Sequence, residues 1–307
     1  MGLSKQKETL ILILEGINYM NKTLLALAVV MSAAVSGSAM AWQASSFNGV
    51  VNFGGDIYSN EYSQKWEWQA GTGFDSYQNT VSQLTNDNRK LVITATEDKP
   101  ILLGKTTEAF ATPMLGGMGA IPQISFSDDD GQTLLLTNPE GITNEGKAFI
   151  DVPMKNESGD KIGTVKVNTS YAGVAMLGSP ADTVAREVSL YATTGSTSLI
   201  FNGGLPTNVS SSELHSGDEA AARTALFGSL SGDEMLQQVK DAVPSITSAR
   251  SGTDSSNENM YYSDGTVVSS AYALGIANGQ TIEATFDNPV NSTIHWTAPL
   301  HIAVTYN

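Results

Sequence analysis

The sequence predicts a mainly β protein, an antiparallel sandwich interrupted once by a short helical segment. Three observations predict it. Short runs rich in β-branched and aromatic residues recur, as RKLVITA (89–95), AFIDVPM (148–154), IGTVKVN (162–168) and TIEATF (281–286), each bounded by turn residues. SDDDGQ (127–132) and NESGDK (156–161) carry the Asp, Asn, Ser and Gly content of hairpin turns. Helix signals are confined to one stretch, where the tetrapeptide SGDE occurs at Ser216–Glu219 and again at Ser231–Glu234. Each copy reads as a capping box, in which Ser and the Glu three residues later satisfy free N–H groups at a helix start. AAARTALF follows the first and ends at Gly228; MLQQVKDAV follows the second and ends at Pro244.

Taken from the N-terminus, the chain begins with a segment that does not belong to the folded domain. From Met20, MNKTLLALAVVMSAAVSGSAMA has a basic start at Lys22, an apolar centre from Leu24 to Met31 and a small-x-small site at Ala39-Met40-Ala41. That is the pattern of a secretory signal peptide over 20–41, too short in its apolar part to span a membrane. Residues 1–19 fit no such signal; Glu15-Gly16 encodes a purine-rich stretch resembling a ribosome-binding site, so we expect translation to start at Met20. The residues from Trp42 onward carry 13 basic and 29 acidic side chains. So acidic a surface argues against nucleic acid or anionic lipid as a partner. No second hydrophobic segment is present, so no membrane insertion is expected, and the chain contains no cysteine.

FNGVVNFGGDI (47–57) alternates as a strand with one apolar face: Phe47, Gly49, Val51, Phe53, Gly55 and Ile57 fall on the same side. Two glycines on a face meant for burial are unusual, because glycine packs nothing there. At the other end, Ile294, Trp296, Ala298, Leu300, Ile302, Val304 and Tyr306 share a face, interrupted only by Pro299 on the opposite one. The chain therefore ends inside a strand. An immunoglobulin-like sandwich needs about 100 residues. The surplus, at about 170–260, reads as an insertion between two strands, because β patterning resumes at Thr266.

The sequence offers no constellation for catalysis. His215, His295 and His301 lack metal-ligand spacing, and His295 and His301 sit opposite the apolar face of the last strand. SGDK (158–161) matches a serine-acylase signature but lies in a hairpin turn without its companion motifs. GGMG (116–119) precedes Ile121-Pro122 and lacks the lysine and helix start of a phosphate loop. The acidic DDDG stretch (128–131) lacks the glutamate that completes a calcium loop and fits a turn better. No cofactor and no metal are expected. A glycosidase carboxylate pair is not singled out by any spacing.

Seven segments carry a resemblance: KWEWQAGTG (65–73), KPILLGKTTEAFATP (99–113), GAIPQISFSDDDG (119–131), GTVKVNTSYAGV (163–174), AAARTALFGSL (220–230), DGTVVSSAYALGIANGQTIEATF (264–286) and APLHIAVTY (298–306). On these the chain resembles the major fimbrial subunits of the FaeG and ClpG type, made by enterotoxigenic bacteria through the chaperone–usher pathway. The resemblance implies an incomplete immunoglobulin-like β-sandwich lacking its final strand, with the core open along a groove. It implies a periplasmic chaperone that first fills the groove, an outer-membrane usher, and identical subunits in a filament on the bacterial surface. Residues 42–60 would be the N-terminal donor-strand extension and 61–307 the pilin domain. Phe47, Gly49, Val51, Phe53, Gly55 and Ile57 would fill a neighbour's groove, with Leu300, Ile302, Val304 and Tyr306 forming one wall. It further implies adhesion to host carbohydrate through the insertion, for which Tyr171, Tyr191, Phe201, Tyr261 and Tyr262 are the candidate stacking platforms. The alternatives are a self-contained secreted lectin, whose first strand folds back on its own sandwich, and a glycan-active enzyme.

Overall fold

One strand organises the sandwich. In the computed structural model, which describes residues 62–307 except 115–116, 192–196, 208–213 and the side chains of 254–256, β7 runs for 18 residues, Lys161–Gly178. All described residues belong to one unit, Tyr58–Asn307; the signal peptide and residues 47–57 lie outside them. Along one edge, β7 pairs first with β11 (Thr281–Phe286) and then with β10 (Val267–Ile276). Along its other edge it pairs with β6 (Lys147–Asn156) and then with β8 (Val184–Leu190). The large sheet is completed by β3 (Lys99–Thr106) beside β10, β1 (Trp66–Ala70) beside β3, and β2 (Lys90–Thr94) beside β11. β9 (Ser248–Ser256) runs parallel to β8. A second sheet of three strands contains β4 (Pro122–Ser127), β5 (Thr133–Leu134) and the terminal β13 (His301–Tyr306).

The expected strands and turns are present. Asn156 makes the β6–β7 hairpin by accepting the N–H groups of Ser158 and Asp160 on its side chain, both at 2.9 Å. Asp128 plays the same part between β4 and β5, accepting from Asp130 at 3.0 Å and Gln132 at 2.8 Å. The remaining carboxylates of the acidic stretch are occupied by Lys155, whose Nζ lies 3.1 Å from Asp129 and 3.0 Å from Asp130.

The two helices are α1 (Gly217–Phe227) and α2 (Gly232–Ala242), within the expected insertion. Ser216 and Ser231 cap them, but only the second copy of SGDE closes both bonds of the box. Gly228 ends α1 in the left-handed region at φ 96°, where a residue without Cβ is unstrained. The helices lie on the outer face of the large sheet. Ala172, Val174 and Met176 of β7 and Ala271 of β10 point to Ala220, Ala221, Met235 and Val239. The alternate residues, Tyr171, Ala175, Leu177, Tyr272 and Leu274, point into the sandwich core with Ile124, Phe126, Ile150 and Val188. From Thr169 to Gly178, β7 is therefore buried on both faces. The expected insertion boundary at 170 falls inside this strand.

The final strand differs from expectation. Trp296–Thr297 forms a separate two-residue strand, β12, paired with β6, and β13 begins only at His301. Pro299 stands in the break, where a residue without N–H cannot join a ladder. Leu300 lies just outside β13, and Ile294 is exposed.

Candidate subunit-docking edge

β13 pairs with β4 from His301–Ser127 to Tyr306–Pro122. Just past the strand, Asn307 and Ile121 exchange both backbone bonds, at 3.1 and 3.4 Å. Bonded and non-bonded pairs alternate in an antiparallel ladder, so Thr305, Ala303 and His301 direct their polar groups at β4. Ile302, Val304 and Tyr306 then direct theirs the other way. Their partners agree: Pro122 C=O accepts from Phe201 at 2.8 Å and Ile124 N–H donates to Asn202 at 2.9 Å, both away from β13. Among the described residues no strand lies on the free side of β13.

The side chains on that edge match it. Ile302, Val304 and Tyr306 are half-buried against the core while His301, Ala303 and Thr305 are exposed. Ala298 and Leu300 extend the same half-buried band. β1 stands near its C-terminal end, because Trp68 Nε1–H donates to the Tyr306 hydroxyl at 2.8 Å. Partial burial raises the Tyr306 phenol above its ordinary pKa, and the Trp68 bond opposes that shift. β1 itself pairs only with β3 among the described residues. Trp66, Trp68, Phe110 and Phe201 form the aromatic floor here, with Trp66 edge-on to Phe201 at 5.6 Å between centroids. The sequence reading missed Trp68; the i, i+2 spacing of the tryptophans in KWEWQ places both on one face of a strand and was the available signal.

The candidate sugar platforms separate into two groups. Tyr171 and Phe201 are fully buried at 0% exposure, so neither ring presents a face to a ligand; they are core residues. Tyr191 and Tyr262 are half-buried, and Tyr261 is 39% exposed. Tyr262 donates its hydroxyl to Glu258 Oε2 at 3.1 Å, and burial together with that carboxylate raises its pKa. His301 is an exposed residue beside Asp129, at 3.3 Å.

The chain matches the family described as fimbrial, major and minor subunit, over residues 20–307. It is 52% identical to the K88 fimbrial proteins AD and AB of Escherichia coli over 287 residues, covering 94% of this chain and all of each relative. It is 29% identical to the F41 fimbrial protein of Escherichia coli over 293 residues, again 94% of this chain and all of the relative. Its relatives being fimbrial proteins, and its fold a β-sandwich with unclosed sheets and two inserted helices, the chain belongs to this family of fimbrial subunits, a structural protein of the cell-surface filament rather than an enzyme.

Proposed function

We propose that this fimbrial subunit joins its neighbours by donor-strand complementation. Residues 47–57 of one copy add as a strand along the free edge of β13 in the next. The observation that carries the reading is the edge itself: Ile302, Val304 and Tyr306 combine outward backbone groups with half-buried apolar side chains. Phe47, Val51, Phe53 and Ile57 supply the matching apolar face, with Gly49 and Gly55 where two backbones must approach closely. Burying those four side chains contributes about 6–12 kcal/mol gross, at about 1.5–3 kcal/mol each. Donor and acceptor are different surfaces, so the contact is head-to-tail and does not close, which yields a filament.

Before assembly a periplasmic chaperone occupies the same edge, and an outer-membrane usher exchanges it for the neighbour's strand. The subunit also adheres to host-cell glycans through the inserted segment and its flank, where Tyr191, Tyr261 and Tyr262 are the candidate aromatic residues left partly accessible. A chain lacking residues 42–57 tests the assembly step. It should form no filaments, and a synthetic peptide of residues 47–57 should bind it and raise its melting temperature by more than 10 °C. Filaments from the truncated chain, or a peptide without effect, would refute the proposal.

A further inference from the structure

We propose that Arg186 and Arg250 form a binding site for the oxyanion of an acidic saccharide, a carboxylate or a sulfate. The two arginines are register partners on the parallel strands β8 and β9. Adjacent strands lie about 4.8 Å apart, and register partners project from the same face. That face is the one away from the helices, since the intervening Glu187 lies against Gly217 and Gly232 at the helix starts. Like charges placed directly opposite one another repel, so such a pair is destabilising unless a counter-charge sits between them.

Among the described residues no protein carboxylate pairs with both; Glu258 attracts Arg186 electrostatically, but it is buried and hydrogen-bonded to Met260 and Tyr262. Neither guanidinium makes a hydrogen bond or ion pair among the described residues, in a chain where 31 acidic side chains outnumber 16 basic ones. The nearest candidates have other attachments. Glu258 is 3% exposed and accepts from Met260 N–H at 2.6 Å and from the Tyr262 hydroxyl at 3.1 Å. Asp182 is exposed and pairs with neither arginine.

Both arginines line one cavity of about 380 Å³ with Tyr262, Thr183, Thr266 and Asp182. That volume lies within the ~300–1,000 Å³ of small-molecule sites. A guanidinium pair presents planar forks that match the oxygens of carboxylate and sulfate. Tyr262 is held in place through its bond to Glu258, and its ring wall beside the arginines suits the apolar face of a sugar. The saccharide part of this assignment rests on the adhesive reading, whereas the anion part stands on the arginines alone.

Purified filaments should be titrated calorimetrically with a sialylated oligosaccharide, a monosulfated one, their uncharged parent and sodium sulfate, in low and high salt. At least one acidic sugar should bind about tenfold or more tightly than the parent, with the advantage shrinking in high salt. The better acidic ligand identifies the group recognised. Arg186→Gln and Arg250→Gln should each remove that advantage, while filaments of normal length under the electron microscope show that folding and assembly are intact. Equal binding of acidic and uncharged sugars overturns the site and leaves adhesion standing, as does an acidic preference that survives the double substitution. Arg186-dependent binding of sodium sulfate with no sugar bound overturns adhesion and keeps the anion site.

Discussion

Glu187 shows how much one buried side chain can dictate. It is 6% exposed, its Oε1 has no hydrogen-bond partner, and it lies at the starts of both helices. A Cβ at Gly217 would stand 2.5 Å from its carbonyl oxygen, and one at Gly232 would stand 2.7 Å from Oε1. The two glycines of the SGDE repeat are thereby explained. The sequence accounts for its Ser and Glu through capping, but its Gly answers to a residue 30 or more positions away, which no local pattern reveals. Burial, reinforced by Asp218 and Asp233, raises the Glu187 pKa above its ordinary value. A raised carboxyl binds its proton more tightly in the folded state. Its contribution is therefore fully present below the unfolded pKa of about 4.3 and is lost as pH rises through the folded value. Glu187→Gln should then raise the melting temperature at pH 7, with the difference from the parent vanishing near pH 4. A variant less stable than the parent at pH 7 would show that the carboxylate has a favourable partner there.

At the scale of elements, β7 and the final strand were the parts least legible in the sequence. Alternation reveals a strand with one wet face, and the first half of β7 was read for that reason. The second half, TSYAGVAMLG, is apolar or small at nearly every position because α1 and α2 cover one face and the core the other. Without alternation it resembled the start of an insertion. The terminal stretch made the opposite impression: its alternation is continuous from Trp296 to Tyr306, yet Pro299 divides it between two sheets. The helices were legible because caps and breakers are local chemistry. Their docking depends on Gly178, whose added Cβ would stand 2.2 Å from Val239 Cγ1 of α2. Gly178→Ala should destabilise the subunit by about 1–3 kcal/mol in denaturant titration, and Val239→Ala in the same chain should recover part of that loss. Strictly additive costs would mean that α2 does not rest on β7 at this point.

For the whole molecule, the decisive feature is that among the described residues the small sheet stops at β13. The chain has no disulfide to compensate for an unfinished core, and its terminal strand keeps three apolar side chains only half-buried. The proposed completion by a neighbour's strand would resolve both facts at once. The sequence held both halves of that arrangement, an alternating segment near the start and an alternating segment at the end. It could not say that β13 lies at a sheet edge, because strand neighbours are set by topology and not by pattern. Val304→Asp should accordingly abolish filaments while leaving the β13–β4 ladder in place, since Val304 belongs to the half-buried apolar band on the unpaired edge and the ladder is backbone.

Because the chain lacks cysteine, introduced thiols report contacts without interference. The most direct measurement mixes subunits carrying only Phe53→Cys with subunits carrying only Val304→Cys, allows them to assemble, and oxidises the filaments. Disulfide-linked pairs containing one subunit of each kind are expected, with none from either kind alone. Efficient closure within a single chain of the double variant, in a lone folded monomer that forms no filaments, would contradict the exchange of strands between subunits.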